Sequence, residues 1–376
     1  MSTHYTQIEV FNMQTNSLSF INEGGNVQIG DVAADRINLN LVSRDEIVPI
    51  LYAGLSKMND SFKKSSGLLL WSQDLFKSKK FLSGSSLHFF DNAIRTSDFR
   101  SNKPTVGDID TQVDSNMKDM LKTWLDSNPG KCGPLTFVGY KSSAGQFISL
   151  WNVDNRMNIQ VDFELVDFEN DRPTEWAQFS HSSSWEDLKH GIKGVFQKYA
   201  LRALSTKSLR DIIVLSGKRK TPKKMTATDL AFSVINGLRY KLSPVIDALG
   251  KHTQQNGLFV YEEIPTKEST YYKQPSEIFK IFFGTEPSST ERAQFESFVG
   301  TCELVKKNWS GADQKKFALG FANTLWGAGA QKLDRTSSEE DFSAKMAAYN
   351  YMNKVLGIRK ENREIAKWRK DFYEKY

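Results

Sequence analysis

Three acidic residues on two predicted strands have the types and the spacing that suit divalent metal ions. Asp108 and Asp110 lie in the segment VGDIDTQVD, and Asp162 lies in IQVDFELVDF. Side chains two residues apart on a strand point to the same face, so Asp108 and Asp110 present two carboxylates side by side. Such hard oxygen ligands suit Mg²⁺, and a third carboxylate from a neighbouring strand can position a second ion. The pattern predicts a two-metal site for phosphoryl chemistry.

The third carboxylate has two candidates on the second strand. Asp162 and Glu164 share one face of that strand. The alternate positions are apolar and form the other face: Ile159, Val161, Phe163 and Leu165. The residue pattern alone leaves both acids open. An acidic pair at alternate strand positions also has an ordinary explanation, the solvated face of an amphipathic strand.

A glycine-serine turn lies upstream of the acidic strand. Gly84, Ser85 and Ser86 stand between the basic stretch 77–80 and a predicted helix over 87–94. A glycine lets the backbone approach a phosphate closely, and the free amide groups at the start of a helix favour an anion. The turn therefore predicts a phosphate-binding segment, and its alternative is an ordinary helix cap.

The order of these segments, SGSS, then DID, then VDF, resembles the DNA polymerase β-like nucleotidyltransferase superfamily over roughly residues 81–204. The resemblance implies an enzyme that moves a nucleoside monophosphate from an NTP, such as ATP, to an acceptor hydroxyl and releases pyrophosphate. It implies that Asp108, Asp110 and Asp162 are catalytic and bind Mg²⁺ or Mn²⁺, and the family's VD pattern selects Asp162 over Glu164. The NTP-binding residues that it implies are Gly84, Ser85, Ser86, Lys193, Lys198 and Tyr199.

One spacing departs from the usual pattern of that superfamily. The chain between Gly84 and Asp108 is longer than usual, and it includes the polar segment Thr96–Thr105. We expect this segment to be a surface loop. In general pattern the chain is also similar to nucleotidyltransferase-like proteins of large tailed phages, which implies a phage protein that acts in the host cytoplasm.

Composition indicates a globular protein of more than one domain. The chain has 376 residues, of which 39% are hydrophobic and 12% aromatic, enough to bury a substantial core. It has no long apolar run and no signal-like N-terminus, so we expect a cytoplasmic protein without a membrane partner. The two cysteines, Cys132 and Cys302, are too few for a disulfide framework and indicate a reducing compartment.

The net charge of +6 weakly favours a polyanionic partner. Two basic clusters carry the excess. One spans Arg359–Lys370, and the other consists of Lys218, Arg219, Lys220, Lys223 and Lys224. We expect these side chains to contact the phosphates of RNA or DNA, so a nucleic-acid end is the first choice of acceptor. The alternative is that the two clusters are a solvated loop and a solvated helix face.

Hydrophobic periodicity predicts an α/β (α+β) protein in three parts. Residues 1–66 form an extension with a short strand pair at the Gly24-Gly25 turn and an amphipathic helix over 46–64. The resemblance implies that residues 67–215 form a mixed-sheet nucleotidyltransferase core. In this part the residue pattern predicts a helix over 114–125, strands over 135–140 and 146–153, and a helix that follows Ser184 and runs to Leu204. Residues 216–376 form a helical accessory domain, in which ATDLAFSVINGLRY is a helix.

Two other functional classes fit the same residues. Clustered carboxylates also serve two-metal phosphodiesterases and nucleases, although the sequence has no acidic-histidine ligand set for such an enzyme. A catalytically silent transferase fold that acts as a binding or structural module is the second alternative.

Overall fold

Helices and mixed β-sheets together build this protein, which confirms the α+β class. The computed structural model describes residues 27–127, 130–143, 145–215, 222–327, 339–358 and 363–374. They divide into an N-terminal unit that ends at Val195 and a C-terminal unit that begins at Phe196, instead of near residue 216. Within these residues, no helix is long and apolar enough to cross a membrane.

The N-terminal unit contains short helices and strands around one larger sheet. Its helices are α1 Arg44–Ser66, α2 Gln73–Lys77, α3 Ser86–Phe89, α4 Thr96–Asn102, α5 Lys118–Asp126, α6 Glu175–His181 and α7 Trp185–Lys189. Its strands are β1 Gln28–Ile29, β2 Val32–Ala33, β3 Ile37–Asn38, β4 Thr105–Val106, β5 Asp108–Asp114, β6 Lys131–Cys132, β7 Leu135–Ser143, β8 Gln146–Val153, β9 Met157–Val166, β10 Phe168–Glu169 and β11 Arg172–Pro173.

The central sheet has the strand order β5-β9-β8-β7-β6. Strands β5 and β9 are parallel, and every other neighbouring pair is antiparallel. The segment 81–83 extends the sheet beyond β5: the Ser83 N–H donates to the Asp110 carbonyl at 3.1 Å, and the Gln112 N–H donates to the Phe81 carbonyl at 2.7 Å. The chain that leads into the glycine-serine turn therefore runs directly beside the first acidic strand.

Helix α1 packs on the apolar face of this sheet. Its buried residues Ile47, Leu51, Leu55, Met58 and Phe62 recur at helical spacing. Gly54 of α1 lies so close to the Leu135 side chain that a Cβ atom at Gly54 would collide with it. The helix predicted over 46–64 is confirmed, and it belongs to the core of the N-terminal unit. The strand pair predicted at the Gly-Gly turn, residues 24 and 25, lies outside the described residues.

Other predictions for this unit have mixed outcomes. The strands predicted over 135–140 and 146–153 are confirmed as β7 and β8. The helix predicted over 87–94 is wrong, because α3 ends at Phe89 and the next residues form a loop. The loop predicted for Thr96–Thr105 is also wrong: most of this segment is α4, which Phe99 anchors by burying its whole ring.

Arg44 fixes the loop that follows α3. Its guanidinium group, 4% exposed, donates to four backbone carbonyls. The bonds are 2.8 Å to Phe89, 2.6 Å to Ile94, 2.5 Å to Asp91 and 3.3 Å to His88. The last carbonyls of a helix otherwise lack partners, so this one side chain both ends α3 and holds the loop against α1.

The C-terminal unit combines strands and helices. Its strands are β12 Arg210–Leu215, β13 Lys223–Ala227, β14 Leu230–Ser233, β15 Gly237–Tyr240, β16 Leu242–Pro244, β17 Gln254–Gln255, β18 Leu258–Glu263 and β19 Tyr271–Tyr272. Its helices are α8 Val195–Leu204, α9 Pro275–Phe283, α10 Ser289–Gln294, α11 Phe298–Asn308, α12 Gly311–Trp326, α13 Glu339–Leu356 and α14 Arg363–Tyr373.

The accessory domain predicted to be helical has its helices after residue 274, but strands precede them. Residues 210–215 and 222–272 contain a sheet of order β13-β12-β18-β16, in which β17 also pairs with β18, and a smaller sheet of order β14-β15-β19. The segment predicted as a helix, ATDLAFSVINGLRY, is the hairpin of β14 and β15. Gly237 starts β15 with a left-handed φ of 89°, and a side chain there would collide with the Tyr272 carbonyl. Pairing with β19, a strand distant in sequence, therefore overrides the helical spacing.

We predict that Arg44→Met lowers the free energy of unfolding by about 2–4 kcal/mol, because it leaves buried carbonyls without a donor. Urea unfolding measures this effect. Arg95→Met is the matched control, since the Arg95 side chain is 80% exposed and its ion pair with Asp98 lies at the surface. Equal losses in the two variants would show that Arg44 does not anchor the loop.

Candidate metal centre

Strands β5 and β9 bring three carboxylates together. Their parallel register sets Asp110 opposite Asp162 and Asp108 opposite Gln160. Each of Asp108, Asp110 and Asp162 offers one carboxylate oxygen, and these oxygens all lie within 4.8 Å of one another. The three residues are 7%, 9% and 2% exposed. This proximity confirms the prediction that the three acids lie together on one face of the sheet.

The cluster is electrostatically costly in the absence of a cation. Burial raises the pKa of the Asp162 carboxyl well above its usual range, and the negative charges of Asp108 and Glu164 raise it further. Hydrogen bonds from Gln160 Nε2 to both Asp162 oxygens, at 2.9 and 3.0 Å, oppose this shift. A single amide cannot offset three acids, so the site favours either a bound proton or a bound cation.

The ligand set suits a divalent cation. Hard carboxylate oxygens on two adjacent strands are the ligands that Mg²⁺ and Mn²⁺ prefer, and the three acids could hold such an ion. Glu164, the alternative third ligand, is occupied elsewhere, since its Oε2 accepts a 2.7 Å hydrogen bond from the Ser83 hydroxyl. The geometry selects Asp162 as the third acid of the cluster.

Gly84 lies directly against this cluster. Its φ of 54° is left-handed, and a Cβ atom there would collide with Oδ2 of Asp110. Its N–H donates to the His181 carbonyl at 2.9 Å, and Gly84 forms a parallel bridge with Ser182. The turn is therefore held on one side by β5 and on the other by the end of α6. Only glycine fits this conformation and this approach.

The two serines of the turn have different roles. Ser86 Oγ accepts a 2.9 Å hydrogen bond from the Asp110 N–H, so it ties the turn to β5. Ser85 Oγ accepts a 2.5 Å hydrogen bond from Lys103 Nζ. Helix α3 has only 4 residues, so its dipole contributes little to anion binding. Two of the features predicted to bind phosphate are therefore still available: the close approach of Gly84 and the hydroxyl of Ser85.

The single helix predicted after Ser184 is wrong. Helix α7 ends at Lys189, and the chain turns at Gly191, where φ is 67°. Lys193 precedes α8 instead of lying on a helix. Lys198 and Tyr199 are on α8 and belong to the C-terminal unit, so NTP binding by these three residues stays a prediction.

The basic cluster predicted to bind nucleic acid is only partly visible. Lys218, Arg219 and Lys220 lie outside the described residues, whereas Lys223 and Lys224 are exposed on β13. Their contact with a nucleic acid stays a prediction.

Sequence reasoning missed two residues of this site. Gln160 lies two positions before Asp162 on the same face of β9, and the alternation of the strand was a sufficient signal to find it. Lys103 gave no such signal, because it lies in the segment expected to be a loop. Its side chain reaches Ser85 only because α4 and Pro104 fold back toward the turn.

Comparisons with protein-family models, with curated proteins and with solved structures find no match to this chain.

We predict that Gly84→Ala lowers both the stability and the Mn²⁺ affinity of the protein, because the added methyl group displaces the Asp110 carboxylate. Thermal unfolding and Mn²⁺ titration measure the two effects. Gly191→Ala is the matched control, since Gly191 has a similar φ of 67° but open space around its missing Cβ. It should share the backbone strain and retain metal affinity. Unchanged Mn²⁺ affinity in Gly84→Ala would contradict the close approach.

We also predict a pH effect of Asp162→Asn on the metal-free protein. The pKa of Asp162 is raised in the folded state, so the folded protein binds more protons than the unfolded chain between about pH 4, where a free aspartate titrates, and the raised pKa. Wild-type stability in EDTA should therefore fall as pH rises through the raised pKa. The stability of Asp162→Asn should fall less over the same pH range, and at pH 8 this variant should be more stable than the wild type.

Unfolding curves in EDTA between pH 5 and pH 8, repeated with Mn²⁺, test this prediction. Added Mn²⁺ should stabilise the wild type and have a smaller effect on Asp162→Asn. Asp60→Asn, a change at an exposed acid of α1, should leave both responses unaltered. Parallel pH profiles of wild type and Asp162→Asn would contradict the raised pKa.

Proposed function

We propose that this protein is a metal-dependent nucleotidyltransferase that moves a nucleoside monophosphate from an NTP to an acceptor hydroxyl. The observation that carries the proposal is the convergence of Asp108, Asp110 and Asp162 beside Gly84. Buried carboxylates alone indicate a cation site. A glycine whose backbone touches one of those carboxylates adds a place where a phosphate can approach the same cation.

In this proposal Asp108 and Asp110 hold Mg²⁺ or Mn²⁺. The cation, when bound, neutralises charge on the phosphates and orients the leaving group. Both acids are on β5, whose edges are paired with β9 and with the segment 81–83. The strand therefore keeps their carboxylates in one geometry, as catalysis by positioning requires.

Asp162 would act on the acceptor. A cation held by Asp108 and Asp110 would offset the repulsion within the cluster and keep Asp162 ionised, so that an Asp162 oxygen could accept the proton of the acceptor hydroxyl. The acceptor oxygen attacks the α-phosphorus of the NTP, and its proton passes to an Asp162 oxygen. The bond between the α-phosphorus and the bridging oxygen of the β-phosphate breaks, and pyrophosphate leaves with the electron pair. Atoms and charges balance without a further reactant.

Four acceptors are compatible with this reaction: an RNA end, a DNA end, a protein hydroxyl and a small molecule. Net charge favours a nucleic acid, because the chain carries +6 and includes the basic residues of 218–224. We therefore propose a nucleic-acid end as the first acceptor to test.

The test is incubation of the whole chain with each α-³²P-labelled NTP, with Mg²⁺ or Mn²⁺, and with RNA, DNA or protein as acceptor. We predict that label joins one acceptor class and that pyrophosphate is released. Asp108→Asn and Asp110→Asn should each lower transfer roughly a hundredfold or more. Asp60→Asn should keep wild-type activity, because Asp60 is an exposed acid remote in sequence from the cluster.

Three outcomes would contradict the proposal. Transfer at the wild-type rate in both Asp108→Asn and Asp110→Asn would show that these two acids of β5 do not bind the catalytic metal ion. Strand scission without transfer would identify a phosphodiesterase. Absence of both activities with every donor and acceptor, in a protein that still binds Mn²⁺, would favour a binding module.

A further inference from the structure

Lys103 is a cation at the glycine-serine turn that no part of the proposed reaction has yet used. Its Nζ donates a hydrogen bond to Ser85 Oγ, and Ser85 is the residue after Gly84. Gly84 in turn lies against the Asp110 carboxylate. We propose that Lys103 binds the β- and γ-phosphates of the NTP donor; this inference rests on the proposed nucleotidyl transfer.

The backbone holds Lys103 in a defined place. Its N–H donates to the Phe99 carbonyl at 2.7 Å as α4 ends, and the whole Phe99 ring is buried. On the other side of Lys103, the Pro104 carbonyl accepts a 2.8 Å hydrogen bond from the Leu39 N–H. The fixed flanks position the backbone of Lys103, and the hydrogen bond to Ser85 restrains its side-chain torsions, so less conformational entropy is lost when the ammonium group binds a ligand.

Lys103 has no acidic partner of its own in the part of the chain that the structure describes. Its hydrogen bond is to a neutral hydroxyl, and no carboxylate lies within the 4.0 Å distance of an ion pair. Its side chain is half-buried, so solvent compensates its charge less well than at an exposed position. A fixed, partly desolvated ammonium group without a carboxylate is a suitable partner for an anion.

The donor polyphosphate fits this position better than the acceptor. A phosphate that approaches Gly84 can share a cation with Asp110, and the next phosphates of the same chain then lie within reach of the adjacent residue, Ser85. The Ser85 hydroxyl and the Lys103 ammonium group together offer donors to those phosphates. The segment 96–105 thus has a role in the proposed site: it delivers a lysine that the usual spacing would not place there.

The experiment uses inorganic triphosphate, which has no base and therefore does not depend on which NTP is preferred. The full-length wild type is titrated with Mn²⁺ alone, with Mn²⁺-triphosphate and with Mn²⁺-orthophosphate by calorimetry. Lys103→Met should weaken triphosphate binding roughly tenfold and orthophosphate binding much less, with Mn²⁺ binding unchanged. Lys103→Arg, which keeps the charge, should retain triphosphate affinity within about threefold.

Arg100→Met is the matched control, because Arg100 is an exposed cation on the same helix α4. It should bind triphosphate as the wild type does. If Lys103→Met does not fold, Lys103→Gln takes its place, since an amide retains a donor toward Ser85 without the charge, and the same tenfold loss is expected. In the transfer assay the loss should appear in the KM for the NTP more than in kcat.

Equal triphosphate affinity in wild type and Lys103→Met would overturn the assignment while leaving nucleotidyl transfer intact. A matching loss of Mn²⁺ affinity would also overturn it, because Lys103 would then support the carboxylates instead of the phosphates. A loss confined to acceptor binding, seen as a flatter dependence on salt, would assign Lys103 to the acceptor. A wild type that binds Mn²⁺ but no triphosphate would reject both this inference and the proposed function.

Discussion

Repulsion among three buried carboxylates is the constraint around which the N-terminal unit is built. Asp108, Asp110 and Asp162 lie on adjacent parallel strands with their oxygens within 4.8 Å of one another, so folding must hold like charges together with little solvent between them. The opposite face of the sheet supplies the compensating free energy. There the Phe163 ring of β9 meets the Trp124 ring of α5 at 6.3 Å, in an apolar core to which α1 also contributes buried side chains.

The chain around the cluster is cross-linked so that no member can shift alone. Glu164 accepts from Ser83, Ser83 pairs with Asp110, and Gln160 donates to Asp162. The first two bonds tie the segment 81–83 to β9 and to β5, and the third joins two residues of β9 itself. Such hydrogen bonds between buried polar groups favour one arrangement, because breaking one of them leaves a buried polar atom without its partner. Binding of a cation would then require little movement of the backbone.

Sequence periodicity predicted the parts of the fold that depend on residues close together in the sequence. Alternation placed Asp108 and Asp110 on one face and Asp162 on its strand, and helical spacing located α1. Partners distant in sequence decided the rest. Arg44 ends α3 through carbonyls at residues 88–94, and β19 makes 230–240 a hairpin instead of a helix. The Arg44 contacts leave no trace in residues 88–94, because the interacting residue lies elsewhere in the chain. The hairpin did have a local signal, the turn dipeptide Asn236-Gly237, which the helical spacing of the apolar residues obscured.

The long connection between Gly84 and Asp108 shows why spacing is a weaker guide than geometry. Lengthening a loop costs little, about 0.6 kcal/mol for each doubling, provided that its ends return to the same positions. Here both ends are fixed: Ser83 pairs with Asp110, and β4 pairs with β3 immediately before β5 begins. The segment between them was free to acquire α4, whose single buried ring sets the position of Lys103. A long connection can therefore leave the three carboxylates in place and still change which side chains reach the glycine-serine turn beside them.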